Sequence, residues 1–208
     1  GSRELPPQAP TSPAAGSGAD RRSAGAQVSL HQSAVDVLSA WHPEDPAQDS
    51  VRHAVLAFLD ARADACLREC VPGHITASAL VLDHDGTHAL LTLHPRVGRW
   101  LQLGGNCEPS DPTLIAAALR EATEESGIDG LTIAPTPAAL HVHPVTCSLG
   151  VPTRHLDVQF VVRAPAGAQI VVSDESLDLK WWPLAELPDD TDFGLAQLAH
   201  AAKPPGLA

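Results

Sequence analysis

Three glutamates, Glu121, Glu124 and Glu125, crowd into the run REATEESGI. If that run is helical, at about 100° per residue Glu124 and Glu125 fall within roughly 60° of Glu121, one on each side. Like charges on one helix face repel by a few tenths of a kcal/mol per pair, and the macrodipole disfavours anions near a helix C-terminus. A helix that carries both penalties suggests a compensating cation. Hard oxygen donors at that density suit Mg²⁺ or Mn²⁺. A solvated acidic face is the plain alternative.

The residues around the cluster favour the cation. From Gly105 to Ile128 the stretch resembles the Nudix box, G-x5-E-x7-R-E-U-x-E-E-x-G-U, where U is aliphatic. The matches are Gly105, Arg120, Glu121, Ala122, Glu124, Glu125, Gly127 and Ile128. There are two departures: Asp111 stands where the box has its first glutamate, and eight residues instead of seven separate it from Arg120.

The resemblance implies an α/β fold, an α/β/α sandwich with a mixed sheet. It assigns Glu121, Glu124 and Glu125, with Gly105, to a divalent metal, and has Arg120 orient a box glutamate instead of touching substrate. It also implies hydrolysis of a pyrophosphate bond. Metal ions neutralise phosphate oxygens and lower the pKa of bound water, so that water can attack phosphorus. Glu121 is one candidate general base. Another is Glu175 in SDESLDLKWW, because Nudix proteins often carry a glutamate just before a strand that ends in an aromatic; a turn acid is the competing reading there.

The elements that must position these groups can be read in order. Asp111-Pro112 gives an N-cap acid and a proline at N1 for the acidic helix. Ile115, Ala118, Leu119 and Ala122 form its buried face, and Gly127 caps its end. Before it, Ile75 to Leu82 and His88 to Leu93 read as strands about a turn at Asp83–Thr87, and HPRVG is a loop. Arg99 to Leu103 then leads into Gly104-Gly105, the turn at the substrate side. After it, strands are expected near Leu131–Ala134, Ala138–Val142, His155–Arg163, Ile170–Val172 and Leu177–Trp182, with a closing helix from Thr191 to Ala202.

Upstream, residues 27–73 read as a helical extension. Ser29 and Gln32 form a capping-box pattern before Leu30, Ala34, Val37, Leu38 and Trp41. Asp45-Pro46 starts a second helix with Val51, Ala54, Val55, Phe58 and Leu59 on its apolar stripe. A short third helical piece carries Cys66, Leu67 and Cys70. Packing on the catalytic unit, a homodimer surface, or a roof over the pocket are its possible uses, and packing is the commonest fate of such stripes. Residues 1–26, rich in Pro, Ala, Gly and Ser, read as a disordered tail. The opening Gly1-Ser2 reads as a cloning remnant, residues 74–202 as the catalytic domain and 203–208 as a C-terminal tail.

Composition narrows the partners. A formal net charge of −12 disfavours a nucleic-acid-coating surface, and no apolar run approaches a membrane span. A small nucleotide substrate remains compatible, because metal ions can supply positive charge locally. Cys66, Cys70, Cys107 and Cys147 form no C-x-x-C pair, which suits a reduced, cytoplasmic protein.

For substrate contacts, Arg96 and Arg99 offer phosphate-matching forks and Trp100 a stacking face, with core packing the alternative for Trp100. Gly104, Gly105, Arg154 and His155 complete the substrate-binding set. The row His141, His143, Cys147 and His155 matches no standard zinc spacing. In Nudix proteins a proline about sixteen residues past the box resembles the ADP-ribose pyrophosphatase pattern. Pro144 stands there, pointing to an ADP-ribose or ADP-sugar-like nucleoside diphosphate derivative. A nucleoside triphosphate, in its ordinary or an oxidised form, is the alternative substrate, and a non-catalytic nucleotide sensor of the same fold is the alternative function.

Overall fold

The structure, a computed structural model, describes residues 29–146, 150–173 and 176–202. Twelve elements follow in order: α1 (Leu30–Ala40), α2 (Pro46–Ala61), β1 (His74–Leu82), β2 (His88–Leu93), β3 (Trp100–Leu101), β4 (Leu103–Asn106), α3 (Leu114–Ser126), β5 (Thr132–Ile133), β6 (Ala139–Thr146), β7 (Pro152–Arg163), β8 (Asp178–Pro183) and α4 (Phe193–Ala202).

The strands form one mixed sheet centred on β1 and β7, which run parallel from His74↔His155 to Leu82↔Arg163. On its other edge β1 is shared. Thr76 to Ala79 pair with β4, whereas Val81 and Leu82 pair with β2. β7 divides likewise, with β6 along one half and β5 along the other. The sheet therefore forks at both edges of its central pair, and the fork at β4 leaves room for a cleft.

Both faces of β1 are covered, as a central strand of mixed α/β type requires. Ile75 and Ala77 join Leu156, Val158 and Phe160 beneath α1, α2 and α3. Leu80 and Leu82 face the other way, onto Leu195, Leu198 and Ala199 of α4. A third cluster joins Ala79, Val81, Leu103, Ala122, Ile128 and Val162. Helices on both faces make the α/β sandwich.

The N-terminal helices are stitched into this core. Gln48 of α2 accepts from Leu140 N at 2.6 Å and donates to Leu140 O at 3.0 Å, occupying both backbone groups of a β6 residue. Ser33 of α1 accepts from the amide of Leu114, the first residue of α3, at 2.8 Å. The extension thus satisfies one of the orphan donors of the acidic helix. His31 Nε2 lies 2.9 Å from Leu59 O and 3.1 Å from Arg62 O, closing the end of α2.

Three expectations change. The cap of α3 is Thr113, whose side chain accepts from Ala116 N, and not Asp111; the helix starts two residues later because Asp111 is engaged elsewhere. The piece around Cys66 and Cys70 is a chain of turns held by Ala65→Arg62, Leu67→Asp64 and Cys70→Leu67 backbone bonds. Its two thiols are buried, as is that of Cys107. Residues 170–172 form no strand; Val171 N donates to Ser126 O and its side chain packs over Gly127. Among the described residues no helix is long and apolar enough to cross a membrane.

Candidate active site

β4 carries two glycines beside the acidic helix, and the first is required by a close approach. Gly104 has φ +148°, and a Cβ there would stand 2.3 and 2.4 Å from the Cβ and Cα of Ser78 on β1. Backbone cannot yield as a side chain can, so only glycine fits. At Gly105 a Cβ would meet the Glu121 carboxylate at 2.9–3.0 Å. The absent side chain of Gly104 lets β4 approach β1, and that of Gly105 leaves the Glu121 carboxylate directly over the glycine backbone. Gly104 N donates to Glu125 Oε2 at 3.0 Å, fixing the second acid over the same strand, where a turn was expected.

Arg120 organises the cluster. Its guanidinium donates to both oxygens of Asp111 (2.9 and 3.0 Å), to Glu121 at 3.0 Å, to Glu124 at 3.1 Å and to Asn106 O at 3.2 Å. A bidentate fork to carboxylate suits arginine alone. These bonds raise its pKa far above the ordinary arginine range, the Asp111 bond first, although burial opposes the rise. Burial pushes Asp111 up, but the Arg120 bonds and the Glu108 amide outweigh it and hold the carboxyl below its usual value. Asp111, at the first-glutamate position, therefore serves as a clamp on Arg120, set beside the cleft.

A cleft of about 1020 Å³ opens over this floor. Glu121, Glu125, Gly104, Gly105, His155 and Arg96 line it. Glu124 does not: its side chain is 61% exposed and turned to Arg120. Arg99 is exposed outside the cleft. Trp100 stands edge-on to Trp182, ring centroids 5.3 Å apart, in the α4 layer. Arg154 lies away from the cleft, its Nη1 donating to Pro72 O. Glu175 and Cys147 lie outside the described residues, as do residues 1–26 and 203–208.

Sequence reasoning passed over much of the cleft wall. His74, Thr76 and Ser78 of β1 and Asp157 of β7 line it, with Gln102, Asn106 and His143. The signal was there: polar residues at every second position of two otherwise apolar strands. In a strand buried on both faces, such a polar row marks a lined cavity.

The histidines of this wall carry a consequence for stability. Burial, then the neighbouring His74 and His143 rings, pushes His155 down to about 4. Burial lowers His74 and His143 as well, against the Asn106 bond of the first and the Asp157 charge beside the second. The unfolded chain therefore takes up protons first, near pH 6.5, and the folded chain only near pH 4. The stability associated with neutral His155 is complete above about pH 6.5 and lost progressively towards pH 4. Allowing for its partial exposure, the loss is on the order of 1–2 kcal/mol. Urea midpoints at pH 7.5 and pH 5 should differ less in His155→Gln than in the parent; an equal difference would show that the ring is not buried neutral.

Among the described residues no three His, Cys, Asp or Glu side chains converge on one point that could hold a metal ion. Mg²⁺ does not need such a cage. It keeps several waters and binds through one or two carboxylates plus substrate phosphates. Glu121 and Glu125 over a bare glycine backbone are a hard-oxygen donor set of that kind.

The domain that this fold and site define is also the one that comparison returns. The NUDIX domain model matches residues 72–202, and the chain belongs to that family. It is a Nudix pyrophosphohydrolase, an enzyme of a family that generally uses divalent metal ions. Similar solved structures include the MutT protein from Methanosarcina mazei Go1, at 19% identity over 63% of this chain and 93% of that one, TM-score 0.51. Others are a NUDIX-family hydrolase from Clostridium perfringens (21%, 62% and 95%, TM-score 0.46) and a C. elegans Ap4A hydrolase (20%, 61% and 93%, TM-score 0.48). At these identities the likeness is one of fold. Comparison with curated proteins gave no match.

Proposed function

We propose that the protein hydrolyses the pyrophosphate bond of a nucleoside diphosphate derivative with Mg²⁺ or Mn²⁺, at the cleft floored by β4 and the acids of α3. One observation carries this reading: the Glu121 and Glu125 carboxylates stand together over the Gly104–Gly105 backbone on the floor of one large cleft. Glu121, Glu125 and the backbone of Gly105 would hold the ion, with Glu124 near the rim. Such an ion, when bound, neutralises phosphate oxygens and lowers the pKa of water.

The chain's own groups do the rest. Arg120 and Asp111 hold the acids in register. A carboxylate, Glu121 or Glu175, accepts the proton of the attacking water as its oxygen bonds to phosphorus. The phosphoanhydride P–O bond breaks and its electron pair leaves on the second phosphate, giving two phosphorylated products. Glu175 lies outside the described residues and enters here on the sequence reading alone. Arg96, exposed and lining the cleft, would meet phosphate oxygens.

A metal-supplemented hydrolysis screen across nucleotide sugars, dinucleotides and nucleoside triphosphates is the test. Turnover of ADP-ribose above that of triphosphates, abolished by chelator, is the expected result. Turnover that persists in chelator would refute the metal mechanism, and tight nucleotide binding with no turnover would favour a sensor.

A further inference from the structure

The cleft wall opposite the acids is built from rows of side chains in strand register. His74, His155 and His143 are direct cross-strand neighbours on β1, β7 and β6, with ring centroids 4.9 and 5.3 Å apart. Thr76 and Asp157 form the next row. His74 is fixed by Nε2 donating to Asn106 Oδ1 at 2.9 Å. The three rings meet edge-to-face, at interplanar angles of 66° and 79°, and line the cleft.

Asp157, 4% exposed, sets the hydrogen-bonding character of this wall. It accepts from Thr76 Oγ1 at 2.9 Å, Ser78 Oγ at 2.6 Å, Gln159 Nε2 at 3.0 Å and Gln102 Nε2 at 3.4 Å. A carboxylate offers no donor, so both glutamine amides must turn their NH₂ groups to it and their carbonyls away. Gln102 lines the cleft, and its Oε1 is buried with no hydrogen-bond partner in the protein. Buried acceptors are seldom left unpaired, so this one asks for a donor. The histidines are depressed in pKa and uncharged at neutral pH, which makes the row a poor seat for phosphate.

We propose that this wall is the subsite for a planar heteroaromatic base bearing an exocyclic amino group. Its ring lies against the His74–His155–His143 row, and its amino N–H donates to Gln102 Oε1. An oxo group at the same place would set acceptor against acceptor and be disfavoured. Asp157 acts as a positioning residue that fixes the amide. The assignment rests on reading the cleft as the pyrophosphohydrolase site, with the phosphates towards Glu121, Glu125 and Arg96.

The test uses the full chain and two monophosphates that have no pyrophosphate bond, AMP and IMP, titrated by calorimetry, with ADP-ribose hydrolysis followed in parallel. AMP should bind about tenfold or more tightly than IMP. In Gln102→Met the two affinities should converge, and His155→Ala should weaken both. Equal binding of AMP and IMP by the parent protein, or binding of neither, overturns the subsite; so does a Gln102→Met variant that keeps the preference. The parent ratio decides the matter even where a variant fails to fold. AMP preference without ADP-ribose hydrolysis upholds the subsite and counts against the hydrolase mechanism, whereas hydrolysis without base preference does the reverse.

Discussion

Replacing Glu121 by glutamine should lower pyrophosphate hydrolysis by about 10²–10⁴-fold, the range for a positioned acid–base or metal-holding group. Its side chain is only 13% exposed, sits against Gly105 and lines the cleft, and its charge has no substitute at that point. Glu124→Gln should cost far less, about tenfold or under, because that carboxylate is mostly in solvent and faces Arg120. The contrast separates what family resemblance alone would treat as one set of three. Steady-state rates for the two variants at saturating Mg²⁺ measure it. Retention of more than a tenth of the parent rate in Glu121→Gln would remove the residue from the machinery. Circular dichroism should show both variants folded, since glutamine keeps the shape.

The second large effect is on stability. Arg120→Ala should cost about 3–5 kcal/mol, the range for breaking one side of a buried ion pair. It would leave Asp111, 5% exposed at its side chain, without its two guanidinium bonds, and Glu121 without one. Arg120→Lys should recover little, because a point charge cannot replace the fork. The contribution of the pair has a defined pH window. The folded Asp111 carboxyl titrates below its ordinary value, so the stabilisation is present above about pH 4 and disappears as pH falls through the folded pKa. Chemical denaturation at pH 7 measures the loss; a change under 1 kcal/mol would mean that solvent already screens the cluster. At the first-glutamate position of the box, Asp111 meets the guanidinium from the loop before α3.

The box was legible because its positions have local physical signatures: a glycine pair, an acid ladder, an αL glycine at the helix end. The glycine pair itself lies in strand β4 and not in the expected turn. Gly127 has φ +66° at the C-cap of α3. The strands were legible by their period, and the N-terminal helices by their caps, Ser29 and Asp45. The role of Asp111 was not. An acid before proline is a cap signal in isolation, and only the fold brings Arg120 round to compete for it. Trp100 was ambiguous for a similar reason, because a strand alternates its faces and the neighbour that claims the ring, Trp182, is remote in sequence. The base-side wall escaped because it is assembled across β1, β6 and β7. No single stretch contains it.

The parallel pairing of β1 with β7 also bears on how the chain reaches this state. His74 meets His155, so the central strand of the sheet waits some 81 residues for its partner. Non-local pairings of that kind are formed late and slowly, since loop closure must precede the contacts that reward it. During synthesis β1, buried along its whole length in the final fold, is followed by its β2 and β4 edges and by α3 before β7 appears. The side chains of α1 and α2 that share a cluster with Ile75 and Ala77 would then help to shield that face of the strand. Refolding of the full chain should yield more soluble protein than refolding of residues 74–202 at equal concentration, and equal yields would show that the shield is not needed.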